Sequence, residues 1–190
     1  MDLTLPPAIP QRGGPLTRAI GRAALKVLGW RIEGEFPNCQ KLVLIAAPHR
    51  SNWDFVVGIS GKFALGLDVS WLGKHTLFRG PWGRLFKNWG GIPIDRRSSN
   101  DTVATVVAGF ATRERLVLAI TPEGTRKAVG TWRSGFWYIA HGAGIPILPV
   151  AFDWEHRVVR IMPPIEPRDR EKDMQDIQAL YAGIRGRNGR

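Results

Sequence analysis

The sequence predicts a single α/β domain with a largely parallel or mixed central sheet flanked by helices, preceded by an N-terminal amphipathic helix. Three observations predict it. From residue 41 onward, short apolar runs alternate with helical patterns, an order that favours strand–helix–strand units. The best of those runs, 42–47 and 116–120, have strand length and fall well short of a membrane span. Finally, 190 residues, 44% of them apolar and 23% charged, suit one folded domain with a sizeable core.

Residues 1–14 are rich in Pro and Gly and read as a loose arm. The pattern over 15–30 predicts a helix, with Leu16, Ile20, Ala23, Ala24, Val27 and Leu28 on one face. Arg18, Arg22 and Lys26 recur every four residues on another face, which Leu25 interrupts. Two readings stand for it: an interfacial anchor with its bases towards anionic headgroups, or an ordinary helix packed on the domain. The organisation expected is an arm and helix over 1–40, then the main domain over 41–190. Strands are predicted at 41–47, 69–72, 92–94, 116–120, 146–150 and 157–161. Helices are predicted at 53–64, 81–89, 100–113, 135–141 and 170–185. Pro81 in a first turn and Gly90 just past the end punctuate the second of these.

A formal charge of +11 favours a polyanionic partner: nucleic acid, an anionic membrane surface or a phosphorylated substrate. Eight Trp and eight Phe beside that charge favour a bilayer interface. Arginine with aromatics also suits single-stranded nucleic acid. Cys39 is the one cysteine, so no internal disulfide forms, which fits a reducing compartment. The first residues lack the pattern of a secretory signal, and the expectation is a protein that lies on a membrane without spanning it.

Four segments carry chemistry, in this order: His49-Arg-Ser-Asn-Trp-Asp54, Gly91-Ile-Pro-Ile-Asp-Arg96, Thr121-Pro-Glu-Gly-Thr-Arg126 and Ile147-Leu-Pro-Val150. Histidine can take a proton from a hydroxyl near neutral pH, and a carboxylate on its far nitrogen fixes the tautomer. By chance alone a His and an Asp at this spacing occur in roughly one such chain in five. Ser51-x-x-Asp54 also reads as a helix capping box. Arg96 can make paired hydrogen bonds to a phosphate or simply pair with Asp95. Glu123 can accept from a hydroxyl or orient Arg126, while Gly124 and Thr125 offer backbone and hydroxyl donors; the alternative is a polar turn closed by Pro122 and Gly124. Residues 147–150 read as a core strand, with Pro149 at an unpaired position, or as the wall of an apolar tunnel. Trp82, Phe86 and Trp89 form an aromatic stripe that suits the core, an acyl-chain entrance or a membrane contact. His75, His141 and His156 have no acid at useful spacing, and no zinc site, Walker loop or dinucleotide fingerprint is expected.

Together these segments, over roughly 41–153, resemble the glycerolipid acyltransferase family, which contains the bacterial 1-acylglycerol-3-phosphate acyltransferases. Pro48 stands where that family often has Asn, and Lys127 where serine is frequent. The resemblance implies a glycerol-phosphate acyltransferase-like fold. It also implies a peripheral enzyme on the cytoplasmic side of the membrane, moving a fatty acyl group to a lysophospholipid hydroxyl. The acyl donor would be acyl-CoA or acyl carrier protein, with no cofactor, no metal and no specific nucleic acid. His49 would be the general base and Asp54 its orienting partner. Arg96, Glu123, Gly124 and Arg126 would form the acceptor's phosphate and glycerol site, and 147–150 the fourth family block. Oxyanion donors are expected among backbone amides near the helix that follows His49. The acceptor expected is lysophosphatidate; another lysolipid, such as a lyso-aminolipid, is the alternative within the family. Outside it, the alternative is a basic membrane- or nucleic-acid-binding module in which His49 and Asp54 are structural.

Overall fold

A computed structural model describes residues 4–80, 82–94, 99–124 and 132–187. The strands in these residues are β1 (Arg31–Glu33), β2 (Lys41–Ala47), β3 (Val69–Lys74), β4 (Gly91–Ile94), β5 (Leu116–Ile120), β6 (Ile147–Asp153) and β7 (Val158–Ile161). The helices are α1 (Pro15–Leu28), α2 (Asn52–Leu65), α3 (Trp82–Asn88), α4 (Ser99–Ala111), α5 (Gly135–Ala143) and α6 (Arg170–Leu180). The strands form one sheet in the order β1-β7-β6-β2-β5-β3-β4. β6, β2, β5, β3 and β4 run parallel; β7 turns back antiparallel to β6, and β1 pairs parallel with β7. The sheet is therefore mixed, with a parallel majority.

Period-two burial places a core on each face. Leu42, Leu44, Val117, Leu148 and Val150 point towards α1 and α2. Val43, Ile45, Leu116, Leu118 and Ile147 point the other way, towards Phe110 of α4, Phe136 of α5 and Ile177 of α6. Strands covered on both faces read as continuous apolar runs, which is why β2 and β5 stand out in the sequence.

The N-terminal helix packs on the domain along one face and turns an apolar stripe outward on another. Its packed face meets α2 at Gly21, where a methyl group would overlap the backbone of Ala64. Leu25, which interrupts the basic face in sequence, is a buried core residue on that packed side. Leu16 and Val27 point outward, 75% and 87% exposed, with Ile20 between them. The helix stops at Leu28 because Gly29 takes a left-handed conformation (φ 73°) and its N–H closes on Lys26 O.

Two features depart from the sequence reading, and a third, in β6, agrees with it. β1 was not expected: three residues carry no alternation, and pairing with β7 alone defines it. α6 ends at Leu180, short of 185, because the next residue, Tyr181, turns its hydroxyl inward to Ile45 O and Val150 O, each 3.1 Å away. β6 is an internal strand although it contains Pro149. The β6–β7 ladder has Val150 opposite Ile161 as its last pair, so Pro149 sits just past it, its carbonyl accepting the N–H of Met162. The missing donor falls where no ladder bond is due.

Candidate active site

β2 ends at Ala47, and after a cis peptide bond to Pro48 the chain leaves the carboxyl edge of the sheet with His49. In open α/β sheets this edge is where sites form. Ser51 then caps α2: its Oγ accepts the N–H of Trp53 at 3.1 Å. Asp54, in the first turn, reaches back, and its Oδ2 accepts the N–H groups of Ser51 (2.6 Å) and Arg50 (2.8 Å). The capping box is thus formed. The functional alternative is not displaced by it, since the same Oδ2 lies 3.9 Å from His49 Nδ1. That separation suits an ion pair and is too long for a direct hydrogen bond. Oδ1 accepts the indole N–H of Trp154 at 2.7 Å. Asp54 is only 1% exposed, so its charge depends on these donors and on the first turn of α2 for stabilisation.

Glu123 approaches from the other side. It follows β5, the neighbour of β2, and is buried. Its Oε2 accepts the main-chain N–H of His49 at 2.7 Å, and its Oε1 accepts Arg50 Nε at 3.2 Å. The His49 loop is therefore held from both flanking strands, directly by Glu123 beyond β5 and through Asp54 by Trp154 beyond β6. Glu123 fastens the loop backbone, a contact that neither sequence reading of this residue contained. Gly124 completes the turn with φ 69°, its N–H on Thr121 O at 3.2 Å. The backbone donors expected for an oxyanion are committed elsewhere at four positions. The N–H groups of His49, Arg50, Ser51 and Trp53 all bond to Glu123, Asp54 or Ser51.

Beside this cluster an apolar cavity of about 740 Å³ runs between α2 and the sheet. That size matches a site for a drug-sized or lipid-sized ligand. His49, Asp54, Glu123 and Gly124 line it, and so do Val150 of the fourth segment and Phe86 of the aromatic stripe. The fourth segment thus divides: Val150 faces the cavity side of the sheet, and Ile147 packs in the opposite core. Phe86 and Trp89 belong to an aromatic cluster with Phe55, Phe63 and Trp71, while Trp82 is exposed.

The structure brings together His49, Asp54, Glu123 and Gly124. Arg96, Thr125 and Arg126 lie outside the described residues, as do Asp95 and Pro81. Arg50 and Trp154 escaped the sequence reading. Arg50 is adjacent to His49 and could have been suspected from its charge, but Trp154 lies a hundred positions from Asp54 and left no local signal. His156 also corrects the sequence reading, because its Nδ1 lies 2.9 Å from Oδ2 of Asp153, three residues earlier. Among the described residues no group of three His, Cys, Asp or Glu side chains is placed to hold a metal.

The model of the Acyltransferase family matches residues 30–153. The chain belongs to that family. It is 28% identical over 158 residues to the 1-acyl-sn-glycerol-3-phosphate acyltransferase of Salmonella typhimurium, covering 73% of this chain and 62% of the relative. The Haemophilus influenzae enzyme of the same name is 27% identical over 161 residues, covering 80% of this chain and 65% of the relative. Human 1-acyl-sn-glycerol-3-phosphate acyltransferase beta is 36% identical over 85 residues, which cover 42% of this chain and 30% of the human protein. The matches thus span less than two thirds of the length of these relatives. The fold is similar to the crystal structure of the 1-acyl-sn-glycerophosphate acyltransferase from Thermotoga maritima, with a TM-score of 0.63. That match has 18% identity and covers 89% of this chain and 77% of the other. Within the Acyltransferase match, His49, Asp54 and Glu123 stand together, Glu123 bonded to the His49 N–H and Asp54 Oδ2 3.9 Å from the His49 ring, and all three line an apolar cavity.

Proposed function

We propose that this chain transfers a fatty acyl group from the thioester of acyl-CoA or acyl carrier protein to the free hydroxyl of 1-acyl-glycerol-3-phosphate, giving phosphatidate. One observation carries the reading: a histidine beside a buried, multiply bonded carboxylate lines an apolar cavity at the sheet's carboxyl edge. With Nδ1 on the Asp54 side, Nε2 of His49 takes the hydroxyl proton as the oxygen attacks the thioester carbonyl carbon. The tetrahedral intermediate collapses with cleavage of the C–S bond, and His49 returns the proton to the leaving thiolate. Both acyl-bearing substrates are hydrocarbon-rich, which suits an apolar cavity. The names of the curated relatives support the acceptor. Arg96 and Arg126 hold its phosphate in this reading, and Gly124 and Thr125 face its glycerol.

The same reading places the protein peripherally, on the cytoplasmic side of a membrane with an anionic surface. The outward stripe Leu16, Ile20 and Val27, with Arg22 and Lys26 beside it, has the composition of an interfacial helix. Among the described residues, no helix is long and apolar enough to cross a membrane.

Product mass spectrometry tests the reaction, using purified protein, each thioester donor and a panel of lysolipids. Phosphatidate is expected, with a loss of about 100-fold or more in His49→Ala, the scale of a general base. Full transfer by His49→Ala removes the mechanism, and equal use of acceptors with and without phosphate removes the role of Arg96 and Arg126.

A further inference from the structure

The carboxylate beside His49 is held on its two oxygens by different parts of the chain. Oδ2 takes the N–H groups of Arg50 and Ser51, both local to α2. Oδ1 takes the indole N–H of Trp154, which follows β6. Two bonds on one oxygen leave the carboxyl group free to swing about that oxygen; a third on the other oxygen fixes its plane. The plane decides how Oδ2 is presented to His49 Nδ1. The indole is itself clamped. Trp30, just past α1, meets it edge to face with centroids 4.9 Å apart. The guanidinium groups of Arg157 and Arg187 lie 5.4 and 5.3 Å from its ring centre. Its backbone N–H bonds to Arg185 O at 3.1 Å. An indole needed only to fill space would not require so many restraints around one N–H directed at a buried charge.

We propose that Trp154 is a positioning residue for acyl transfer, acting through Asp54 to set the orientation of the His49 ring. The inference rests on the His49–Asp54 reading above. The N–H of Trp154 makes a charge-assisted bond to Asp54 Oδ1, stronger than a neutral one. Trp30 and Arg187 hold the ring from segments before β1 and after α6.

The test is steady-state kinetics of Trp154→Phe, with His49→Ala alongside. The expected result is a fall in kcat of roughly tenfold with KM for donor and acceptor within about twofold, the pattern of an outer partner that orients a reacting group. A second variant carries benzothienylalanine at position 154, keeping both rings and replacing the N–H by sulfur, so it remains informative where phenylalanine disturbs folding. A third readout is spectroscopic: the indole proton of Trp154 should resonate downfield of the other tryptophans and move upfield in Asp54→Asn. Unchanged kcat in the benzothienylalanine protein, with His49→Ala inactive, overturns the role of Trp154 and leaves the reaction standing. An indole resonance indifferent to Asp54→Asn also overturns it. Full activity in His49→Ala removes the reaction and this inference with it.

Discussion

Asp54 caps a helix with the same oxygen that faces His49, so one oxygen holds the start of α2 and lies 3.9 Å from the His49 ring. Capping fixes the carboxylate cheaply, because the backbone N–H groups it uses would otherwise need another partner. Elsewhere the chain treats buried charge the same way. Lys62 is buried, and its ammonium donates to Val69 O at 2.9 Å and Trp89 O at 2.7 Å, joining α2 to β3 and to the end of α3. Burial pushes this amine below its ordinary pKa, and Asp68 partly restores it. Asp153 shows the opposite balance. Burial alone would raise its carboxyl, but bonds from the His156 N–H, the His156 ring and Arg160 outweigh that effect and hold it below the usual aspartate range. The sign of the consequence follows from linkage. Since the folded carboxyl binds its proton less readily than the unfolded one, its stabilisation is fully present above about pH 4 and is lost as pH falls through the folded value. The difference in thermal midpoint between the wild type and Asp153→Asn should therefore be large at pH 6 and shrink below pH 4. A difference that stays constant across that range contradicts this account.

At the scale of elements, α1 is the one whose two faces ask for different surroundings. Gly21 permits close approach to α2, and Leu25 enters the core, so half the helix is explained by packing. The exposed stripe of Leu16, Ile20 and Val27 has no such explanation within the domain. Each exposed aliphatic side chain withdrawn from water contributes about 1.5–3 kcal/mol when fully buried, so even partial insertion of three gives measurable attachment. The triple substitution Leu16→Ser, Ile20→Ser and Val27→Ser should reduce co-sedimentation with anionic vesicles at least tenfold. The thermal midpoint should change little, because none of the three is in the core. Equal drops in vesicle binding and in stability would place the stripe in the fold instead. The sequence pattern located this helix and its bases but merged its packed and outward faces. Ala24 and Leu28 group with Leu16 and Val27 in the sequence because all four fall within one arc of about 120°, and only the position of α2 shows which part of that arc is packed.

For the whole molecule, what was legible follows from how far each signal reaches along the chain. β2, α2 and β5 announce themselves through local periodicity, and His49 and Glu123 follow because each stands just beyond a parallel strand of the same sheet. Strand order, the bond from Glu123 to the His49 loop and the bond from Trp154 to Asp54 join positions 74 and 100 residues apart, and no local pattern encodes them. The cavity is the furthest of these from the sequence, because it is the gap left when α2 lies across the strands. Its walls therefore make a molecule-scale prediction. Gly61 of α2 lines the cavity, and a Cβ there would make only ordinary contact with Ile32, 3.8 Å away. Leucine at this position can be accommodated by the helix backbone, and its branch would occupy space otherwise open to a hydrocarbon chain. Gly61→Leu should shift the preferred acyl donor to shorter chains, read by competition among thioesters of graded length with mass spectrometry of the products. Transfer of the short chains should remain dependent on His49. If all lengths fall together while the protein stays folded, the space beside Gly61 is not where the acyl chain lies; an unchanged profile says the chain never reaches it.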